Sequence, residues 1–123
     1  MKVLAGSFAT PSARARFAVE AEALGRLQHP GIAQIFAADV LQSPHGSQPY
    51  LAMELLAGTD LARVMGKSGR LTPERTLGIL DAIAGALAVA HAASIVHRDI
   101  KASNVFLADD GGRERVVLID FGI

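Results

Sequence analysis

Three residues in the second half of the sequence carry oxygen ligands and could bind one hard cation: Asp99, Asn104 and Asp120. Val105–Leu107 and Val116–Ile119 are short apolar runs rich in β-branched residues, and an Asp-Asp-Gly-Gly sequence lies between them, so a β-hairpin is predicted. Because a hairpin brings its open ends together, the side chains of Asn104 and Asp120 are expected to lie roughly 4–6 Å apart, within reach of one ion. Asp99 lies shortly before Asn104, and one amide with two carboxylates suits Mg²⁺, which completes its coordination with water and phosphate oxygens.

The same segment contains a longer motif. His97–Asn104 reads HRDIKASN and is followed, at hairpin distance, by Asp-Phe-Gly at Asp120–Gly122. These two sequences resemble the catalytic loop and the metal-binding motif of protein kinases. Five fixed residues at that spacing arise by chance roughly once in a few million positions, taking each at about one in twenty. Lys101, two residues after Asp99, resembles the serine/threonine branch of the family, whereas Ala102 replaces the proline that is common after the lysine.

The resemblance implies a role in phosphoryl transfer for four of these residues. Asp99 would accept the proton of the substrate hydroxyl, and Lys101 would neutralise charge on the transferring γ-phosphoryl group. Asn104 and Asp120 would hold Mg²⁺ on the phosphates. The implied cofactors are therefore ATP and Mg²⁺, and the implied partner is a protein substrate with a serine or threonine acceptor.

The N-terminal part of the sequence is predicted to supply an ion pair that steadies the α- and β-phosphates of ATP. A helix is predicted from Thr10-Pro11 to about Leu27, and its inward stripe contains Glu20. A buried carboxylate needs a cationic partner. By resemblance that partner is Lys2, which matches the strand lysine of the kinase small lobe. The alternatives are that Lys2 is only a solvated N-terminal lysine, and that Glu22, which points off the apolar face, pairs instead of Glu20.

The middle of the sequence resembles the segment that links the two kinase lobes, and this resemblance implies the residues that contact adenine and ribose. Met53 stands at the gatekeeper position, and the main chain of Glu54 and Leu56 would hydrogen-bond adenine. Asp60 would contact the ribose, and Phe106 resembles the residue that forms the floor of the adenine pocket. From the residues alone, Met53 could be only a core residue and Asp60 only the N-cap of a helix.

Turn signals and periodicity predict the elements around this segment. Strands are predicted over Ile32–Val40 and Pro49–Leu56, with a polar turn over Gln42–Pro49 between them. Thr72-Pro73 has the N-cap and first-turn residues of a long helix. One face of that helix is predicted to carry Leu80, Ile83, Leu87 and His91.

The stretch Thr76–Val96 is almost continuously apolar and long enough to cross a bilayer. A charged residue within a span is costly, however, and Asp81 lies inside this one. We therefore prefer a core helix, because helices that are apolar nearly all round belong in protein interiors.

Composition excludes several other classes of function. Half of the 123 residues are apolar and the formal net charge is zero, which indicates neither a disordered chain nor a polycation that binds nucleic acid. The absence of cysteine excludes disulfides and thiolate metal sites. No signal-peptide pattern opens the sequence, so we predict a cytoplasmic location, no nucleic-acid partner and no membrane segment.

The predicted fold class is α+β and is part of a protein-kinase-like two-lobe fold. Residues 1–56 would give part of the small lobe and the hinge, and residues 57–123 the start of the large lobe through the Asp-Phe-Gly motif. By the resemblance, the Gly-rich phosphate loop would precede Met1, and the activation segment and further helices would follow Ile123. We therefore expect the chain alone to be catalytically silent, with much of the apolar surface of its long helix exposed.

The predicted function is transfer of the ATP γ-phosphoryl group to serine or threonine hydroxyls of proteins, as a fragment of a serine/threonine protein kinase. One alternative is a truncated, non-catalytic module that binds nucleotide or regulates another protein. A less favoured alternative is a small-molecule phosphotransferase. Such enzymes share an H-x-D-x-x-x-x-N loop but generally lack the equivalents of Lys101 and Gly122.

Overall fold

The computed structural model describes residues 2–3, 11–43 and 46–121, and these form two compact units. Of the described residues, the first unit comprises those up to residue 28 and from 34 to 54, and the second comprises residues 29–33 and 55–121. The chain passes from the first unit to the second for the last time after Glu54. Helices and antiparallel sheets occur in both units, which confirms the predicted α+β class.

The first unit is a three-stranded antiparallel sheet with one helix. Strands β1 (Lys2–Val3), β2 (Ile35–Ser43) and β3 (Gly46–Met53) have the order β1-β3-β2, and helix α1 (Pro11–Gly25) packs on β2. The buried side chains at the centre are those of Phe17, Ala21 and Leu51, with Ile35 and Ala38 packed against them. The predicted helix and its apolar face are therefore present, although α1 ends two residues earlier than predicted.

The predicted turn over Gln42–Pro49 is wrong, because both strands continue through most of it. Gln42 pairs with Ser47, and Val40 pairs with Pro49. The polar side chains of Gln42 and Gln48 are exposed on these strand ends, and main-chain pairing does not depend on the polarity of the side chains. The flanking strands shift accordingly, so that β2 starts at Ile35 rather than at residue 32 and β3 ends at Met53 rather than at residue 56.

The second unit combines a three-stranded antiparallel sheet with two helices. Its sheet has the order β4-β5-β6, with β4 at Gly58–Asp60, β5 at Val105–Asp109 and β6 at Glu114–Leu118. Helix α2 spans Leu61–Ser68 and helix α3 spans Pro73–Ala92. The predicted hairpin is thus present as β5 and β6, with Val105 paired to Leu118 at its open end.

Both predicted N-caps of the second unit are present. The Asp60 side chain accepts a 2.9 Å hydrogen bond from the main-chain N–H of Arg63, and the Thr72 hydroxyl accepts one of 3.2 Å from that of Arg75. Each cap satisfies a main-chain donor that has no partner within its helix. Asp60 is therefore an N-cap, as one of the two interpretations of its sequence context predicted.

Helix α3 is buried along a different line from the one predicted. Ile79, Ala86 and Ala90 are buried, whereas Leu77 and Leu80 are 67% and 54% exposed. Because alanine side chains are small, neighbouring main-chain segments can approach α3 closely. Side-chain volume rather than hydrophobicity therefore determines which face of α3 is buried. The predicted exposure of apolar surface on this helix is confirmed. By length and composition alone α3 could also cross a membrane, which is weak evidence for a span.

Residues 29–33 join the second unit by pairing with the end of β6. The Leu118 N–H donates to the Gly31 carbonyl at 2.8 Å, and the Ala33 N–H donates to the Leu118 carbonyl at 3.1 Å. The Arg115 guanidinium adds hydrogen bonds to the Pro30 carbonyl and to the Asp110 carboxylate, both at 2.7 Å. This loop therefore extends the sheet edge that leads towards Asp120.

Ser94 offers a stabilising substitution at the end of α3. The Ile95 N–H donates to the Ala90 carbonyl and the Ser94 N–H to the His91 carbonyl, both at 2.9 Å, which is the Schellman arrangement with Ser94 at the left-handed position (φ 61°). We expect Ser94→Gly to raise the free energy of unfolding by about 0.5–1 kcal/mol, measured by urea denaturation, because glycine adopts this conformation without strain. Ala93→Gly, one residue earlier at φ −89°, should lower it, and stabilisation by both would contradict this explanation.

Gly58 is required where β4 pairs with β5. It has φ 133°, and a Cβ atom there would overlap the carbonyl oxygen of Leu107. We expect Gly58→Ala to lower the free energy of unfolding by about 2–4 kcal/mol, because backbone strain adds to the steric overlap. Gly66→Ala is the matched control: no atom lies within 4 Å of the added methyl group, and alanine favours the helix by about 1 kcal/mol. Equal effects of the two substitutions on the free energy of unfolding would disprove the requirement for glycine at position 58.

Candidate active site

His97 is the buried centre of the loop that contains Asp99. It is 1% exposed, and its ring lies 4.5 Å from that of Phe121 between centroids. Nε2 lies 3.0 Å from the Ile119 carbonyl, and Nδ1 accepts a 3.3 Å hydrogen bond from the Asp99 N–H. Because a carbonyl only accepts, the proton must reside on Nε2 in this arrangement. His97 therefore holds the main chain on both sides of the candidate site.

Two non-glycine residues at this site have left-handed backbone conformations. Arg98 has φ 65° and Asp120 has φ 58°. This region is uncommon for residues with a Cβ atom, and such residues concentrate where the surrounding structure fixes a functional geometry. The flanking hydrogen bonds of His97 supply that constraint here, since they hold residues 99 and 119.

The Asp99 carboxylate is oriented by two donors. Its Oδ2 accepts from the Lys101 ammonium at 2.6 Å and from the Asn104 amide at 3.0 Å, while the side chain remains 53% exposed. Among the residues that the structure describes, no hydrogen bond reaches the other oxygen, Oδ1. The carboxylate is thus fixed through one oxygen and can accept a hydrogen bond from an external hydroxyl group through the other.

The hydrogen bond from Lys101 lowers the pKa of Asp99 below its ordinary value, although partial desolvation opposes this effect. The hydrogen bond from Asn104 and the charge of Lys101 lower the pKa further. Asp99 is therefore ionised at neutral pH, and both of its carboxylate oxygens can accept hydrogen bonds.

Asn104 connects this loop to the base of the hairpin. It is 5% exposed, and its Nδ2 donates to both the main-chain carbonyl and the carboxylate of Asp99. Its own carbonyl accepts from the Ile119 N–H at 3.0 Å. No hydrogen bond to its side-chain oxygen Oδ1 occurs within the described part of the chain. A buried amide oxygen without a donor suits a hard cation, because it needs a positive partner.

Asp120 follows Ile119, the residue that bonds Asn104, and is half-buried. The hairpin therefore brings the two predicted metal ligands to the same end of β5 and β6. Their side-chain separation of roughly 4–6 Å stays a prediction. In residues 2–3, 11–43 and 46–121, no three His, Cys, Asp or Glu side chains form a metal-binding group. The predicted site differs from such a group because it depends on an amide oxygen.

The predicted pair of Lys2 and Glu20 lies only partly within the described residues. The main chain of Lys2 pairs with Leu51 in the sheet, but its side chain lies outside the described residues. Glu20 is half-buried on α1. Glu22, the alternative, instead forms an exposed 2.6 Å ion pair with Arg26 on the same helix. Gly122 also lies outside the described residues.

The residues implied in nucleotide binding occupy the end of β3, the following segment and β5. Met53 ends β3 and is half-buried, as are Leu56 and Phe106. Phe106 pairs with Asp60 across β4 and β5, so those two residues are adjacent. The Glu54 N–H donates to the Gln34 carbonyl at 2.9 Å, and the Glu54 carboxylate accepts from the Gln34 N–H at 2.9 Å.

Sequence reasoning missed Gln34. The available signal was a single amide side chain inside the apolar run Ile32–Phe36, a position where a polar group needs partners. Its Nε2 atom donates to the carbonyls of Gly25 and Ile35, at 3.2 and 3.1 Å. Gln34 thus connects the end of α1, the start of β2 and Glu54.

A model of the protein kinase domain matches residues 1–123, the whole of this sequence. The chain belongs to the protein kinase domain family. It is 38% identical, over an alignment of 125 residues, to serine/threonine-protein kinase PknA of Mycobacterium tuberculosis, which covers 100% of this chain and 28% of that protein. It is 37% identical over 113 residues to the probable serine/threonine-protein kinase PknB of Corynebacterium glutamicum, covering 92% of this chain and 17% of that protein.

Solved kinase domains show the same fold. The crystal structure of the Mycobacterium tuberculosis PknI kinase domain superposes with a TM-score of 0.83 at 34% identity, covering 99% of this chain and 48% of that chain. The predicted kinase fold is therefore confirmed. The chain spans about half of that solved kinase domain and less than a third of the length of the two curated relatives.

In this protein kinase chain, Lys101→Met should raise the pKa of Asp99 towards its ordinary value, because the substitution removes the hydrogen bond and charge that favour the carboxylate. Because the pKa of Asp99 is lowered in the folded state, its ionised carboxylate stabilises the folded chain. This stabilisation is present at pH values above the ordinary pKa of an aspartate and is lost as the pH falls through the lowered pKa.

A ¹³C NMR titration of the Asp99 carboxyl group measures this change directly. Lys67→Met, at an exposed position near the end of α2, is the matched control and should leave the pKa of Asp99 unchanged. An unaltered titration of Asp99 in Lys101→Met would show that the 2.6 Å contact does not determine its charge state.

Proposed function

We propose that this protein transfers the γ-phosphoryl group of ATP to serine or threonine hydroxyls of proteins, as part of a serine/threonine protein kinase. The observation that carries this proposal is the geometry of Asp99. Lys101 and Asn104 hold one carboxylate oxygen, and the exposed side chain presents the other. The names of the relatives, which are serine/threonine-protein kinases, support the same reaction and acceptor.

Asp99 orients the acceptor hydroxyl group through the oxygen that Lys101 and Asn104 do not bind, and it accepts the hydroxyl proton as the phosphoryl group is transferred. Its lowered pKa keeps the group ionised for this role. Lys101 lies 2.6 Å from the same carboxylate, where its ammonium can neutralise charge on the γ-phosphoryl oxygens. Such a contact distinguishes this loop from that of small-molecule phosphotransferases, which generally lack the lysine.

Asn104 and Asp120 would hold Mg²⁺. The buried Oδ1 of Asn104 and the carboxylate of Asp120 are hard oxygen ligands at one end of the hairpin, so the residues fit the ion. When bound, Mg²⁺ neutralises the phosphates of ATP. The Asn104 amide nitrogen, which is committed to Asp99, keeps the side-chain oxygen pointing away from that carboxylate.

The remaining site residues are assigned to ATP itself. Lys2, oriented by Glu20, would bind the α- and β-phosphates, a role that the resemblance implies. Adenine would contact the main chain of Glu54 and Leu56, and Asp60 would contact the ribose beside its capping role. Met53 and Phe106 would give the apolar surfaces of the base pocket. ATP as phosphoryl donor accords with the predicted cytoplasmic location.

Two substitutions separate acceptor chemistry from metal binding. Asp99→Asn should lower the rate of phosphoryl transfer by about 10²–10⁴-fold while Mg²⁺-ATP affinity changes little, because the residue orients the acceptor and not the ion. Asp120→Asn should weaken nucleotide binding in the presence of Mg²⁺ and leave binding without Mg²⁺ nearly unchanged. Both are measured in a complete kinase domain carrying this segment, since the chain matches 48% of the solved PknI domain.

Asp81→Asn is the matched control, because Asp81 is an exposed aspartate on α3 and should affect neither measurement. Equal losses of nucleotide affinity in the Asp99 and Asp120 variants would refute the assigned roles. Tight Mg²⁺-ATP binding without any transfer to a generic basic protein by the unaltered domain would instead favour a nucleotide-binding module.

A further inference from the structure

The chain leaves the first unit and returns to it between α1 and β2. Residues 29–33 belong to the second unit, and Gln34 is the first residue after the return. Its side chain reaches nine positions back along the sequence, where Nε2 donates to the Gly25 carbonyl at 3.2 Å. Gly25 is the last residue of α1. This hydrogen bond therefore closes the loop between Gly25 and Gln34 at its base.

The Gly25 carbonyl depends on this hydrogen bond. The last carbonyls of an α-helix have no partner within the helix. One of those in α1 is satisfied by the chain that follows directly, since the Leu27 N–H donates to the Leu24 carbonyl at 3.0 Å. Within the described part of the chain, no hydrogen bond except that from Gln34 reaches the Gly25 carbonyl. Gln34 therefore caps the C-terminal end of α1.

The same amide group also donates at a bulge in β2. The register of β2 against β3 shifts between Ile35 and Ala37, so that Phe36 between them is an extra residue. A bulge interrupts the hydrogen-bond ladder and bends the strand. Gln34 Nε2 donates to the Ile35 carbonyl at this bulge, at 3.1 Å. Both hydrogens of one amide are thus used to join the end of α1 to the start of β2.

The main chain of Gln34 is also held in place. Its N–H donates to the Glu54 carboxylate, and its carbonyl accepts from the Glu54 N–H, each at 2.9 Å. Gln34 is half-buried, so competition from water for these hydrogen bonds is reduced. Because both main-chain groups are fixed, the amide at the end of the side chain has a defined position.

The apolar contacts of α1 do not supply the same constraint. The helix packs on the sheet through a cluster around Phe17 and Ala21. Apolar attraction is not directional, whereas a hydrogen bond requires alignment of its donor and acceptor. Glu20 lies five positions before Gly25, which is about 7.5 Å along the axis of an α-helix. A shift of the capped end therefore moves Glu20 with it.

We propose that Gln34 is a positioning residue for phosphoryl transfer, which fixes the end of α1 to the start of β2 and thereby holds Glu20 in place. This inference rests on the proposed function, in which Glu20 orients Lys2 on the α- and β-phosphates of ATP. A displacement of about 1 Å in a positioning group is enough to slow a reaction substantially. In this role Gln34 contacts neither ATP nor the acceptor and acts through α1.

Amide hydrogen exchange, measured by NMR in a complete kinase domain carrying this segment, tests the contact itself. Gln34→Ala removes both donors and should speed exchange of the Leu27 amide by about threefold to tenfold, the value of one hydrogen bond. Gln34→Glu has nearly the same size but offers only acceptors, and it places a negative charge at the C-terminal end of a helix, so its effect should be at least as large. Gln48→Glu is the matched control at an exposed position of β3 and should leave the exchange of Leu27 unchanged.

A double-mutant cycle with Glu20 tests the route by which Gln34 acts. In the otherwise unaltered domain, Gln34→Ala should lower kcat for phosphoryl transfer by about threefold to tenfold. In a domain that carries Glu20→Gln, the same substitution should have little further effect, because the carboxylate that Gln34 positions is already lost. A merely structural role would lower kcat by the same factor in both backgrounds. Gln48→Glu should leave kcat unchanged in each.

The outcomes separate this inference from the proposed function. Unchanged exchange at Leu27 in both Gln34 variants, or equal losses of kcat in the two backgrounds, would overturn the inference and leave the proposed function intact. If the unaltered domain transferred no phosphoryl group, the proposed function would fail and this inference with it. Faster exchange at Leu27, together with a loss of kcat that depends on Glu20, would establish the positioning role.

Discussion

The candidate site depends on the buried side chain of Asn104. A buried amide that lost its partners would cost about 1–3 kcal/mol, so the chain around it is constrained to provide them. The Asn104 amide nitrogen donates to the carbonyl and to the carboxylate of Asp99, and the Ile119 N–H donates to the main-chain carbonyl of Asn104. One residue therefore sets the position of the acidic group and of the strand end that leads to Asp120. The arrangement of the candidate site thus follows from the need to satisfy a buried polar group.

The backbone conformations around Asn104 are held by a second buried group, His97. Left-handed residues cost of order 1–3 kcal/mol each and persist only where neighbouring contacts over-determine them. Arg98 and Asp120 are such residues, and the two ring nitrogens of His97 are bonded next to each, at the Asp99 N–H and the Ile119 carbonyl. The imidazole thus links the loop to the end of β6 in a fixed tautomer. The buried histidine of the motif therefore supports the backbone conformation on both sides of the site.

Local signals made the hairpin and the helix caps predictable from the sequence. The Asp-Asp-Gly-Gly turn and the helix caps of Asp60 and Thr72 depend on interactions between residues a few positions apart. A short segment of sequence is therefore enough to predict them. The turn over Gln42–Pro49 and the buried face of α3 were mispredicted because exposure and close packing are set by distant neighbours. The Gln34–Glu54 pair belongs to the same class, since its partners are far apart in sequence. Family resemblance, and not spacing, named the nucleotide-binding residues.

The departure from the family motif at Ala102 can be explained by the same local geometry. A proline at this position would restrict the preceding residue to an extended conformation. Lys101 is extended without it, at φ −157° and ψ 163°, and the Ala102–Asn104 turn follows directly. The Asn104 N–H donates to the Lys101 carbonyl at 2.9 Å, and the ammonium of Lys101 bonds Asp99. Contacts in the folded chain therefore fix Lys101, and the missing proline acts on the entropy of the unfolded chain and not on the geometry of the site.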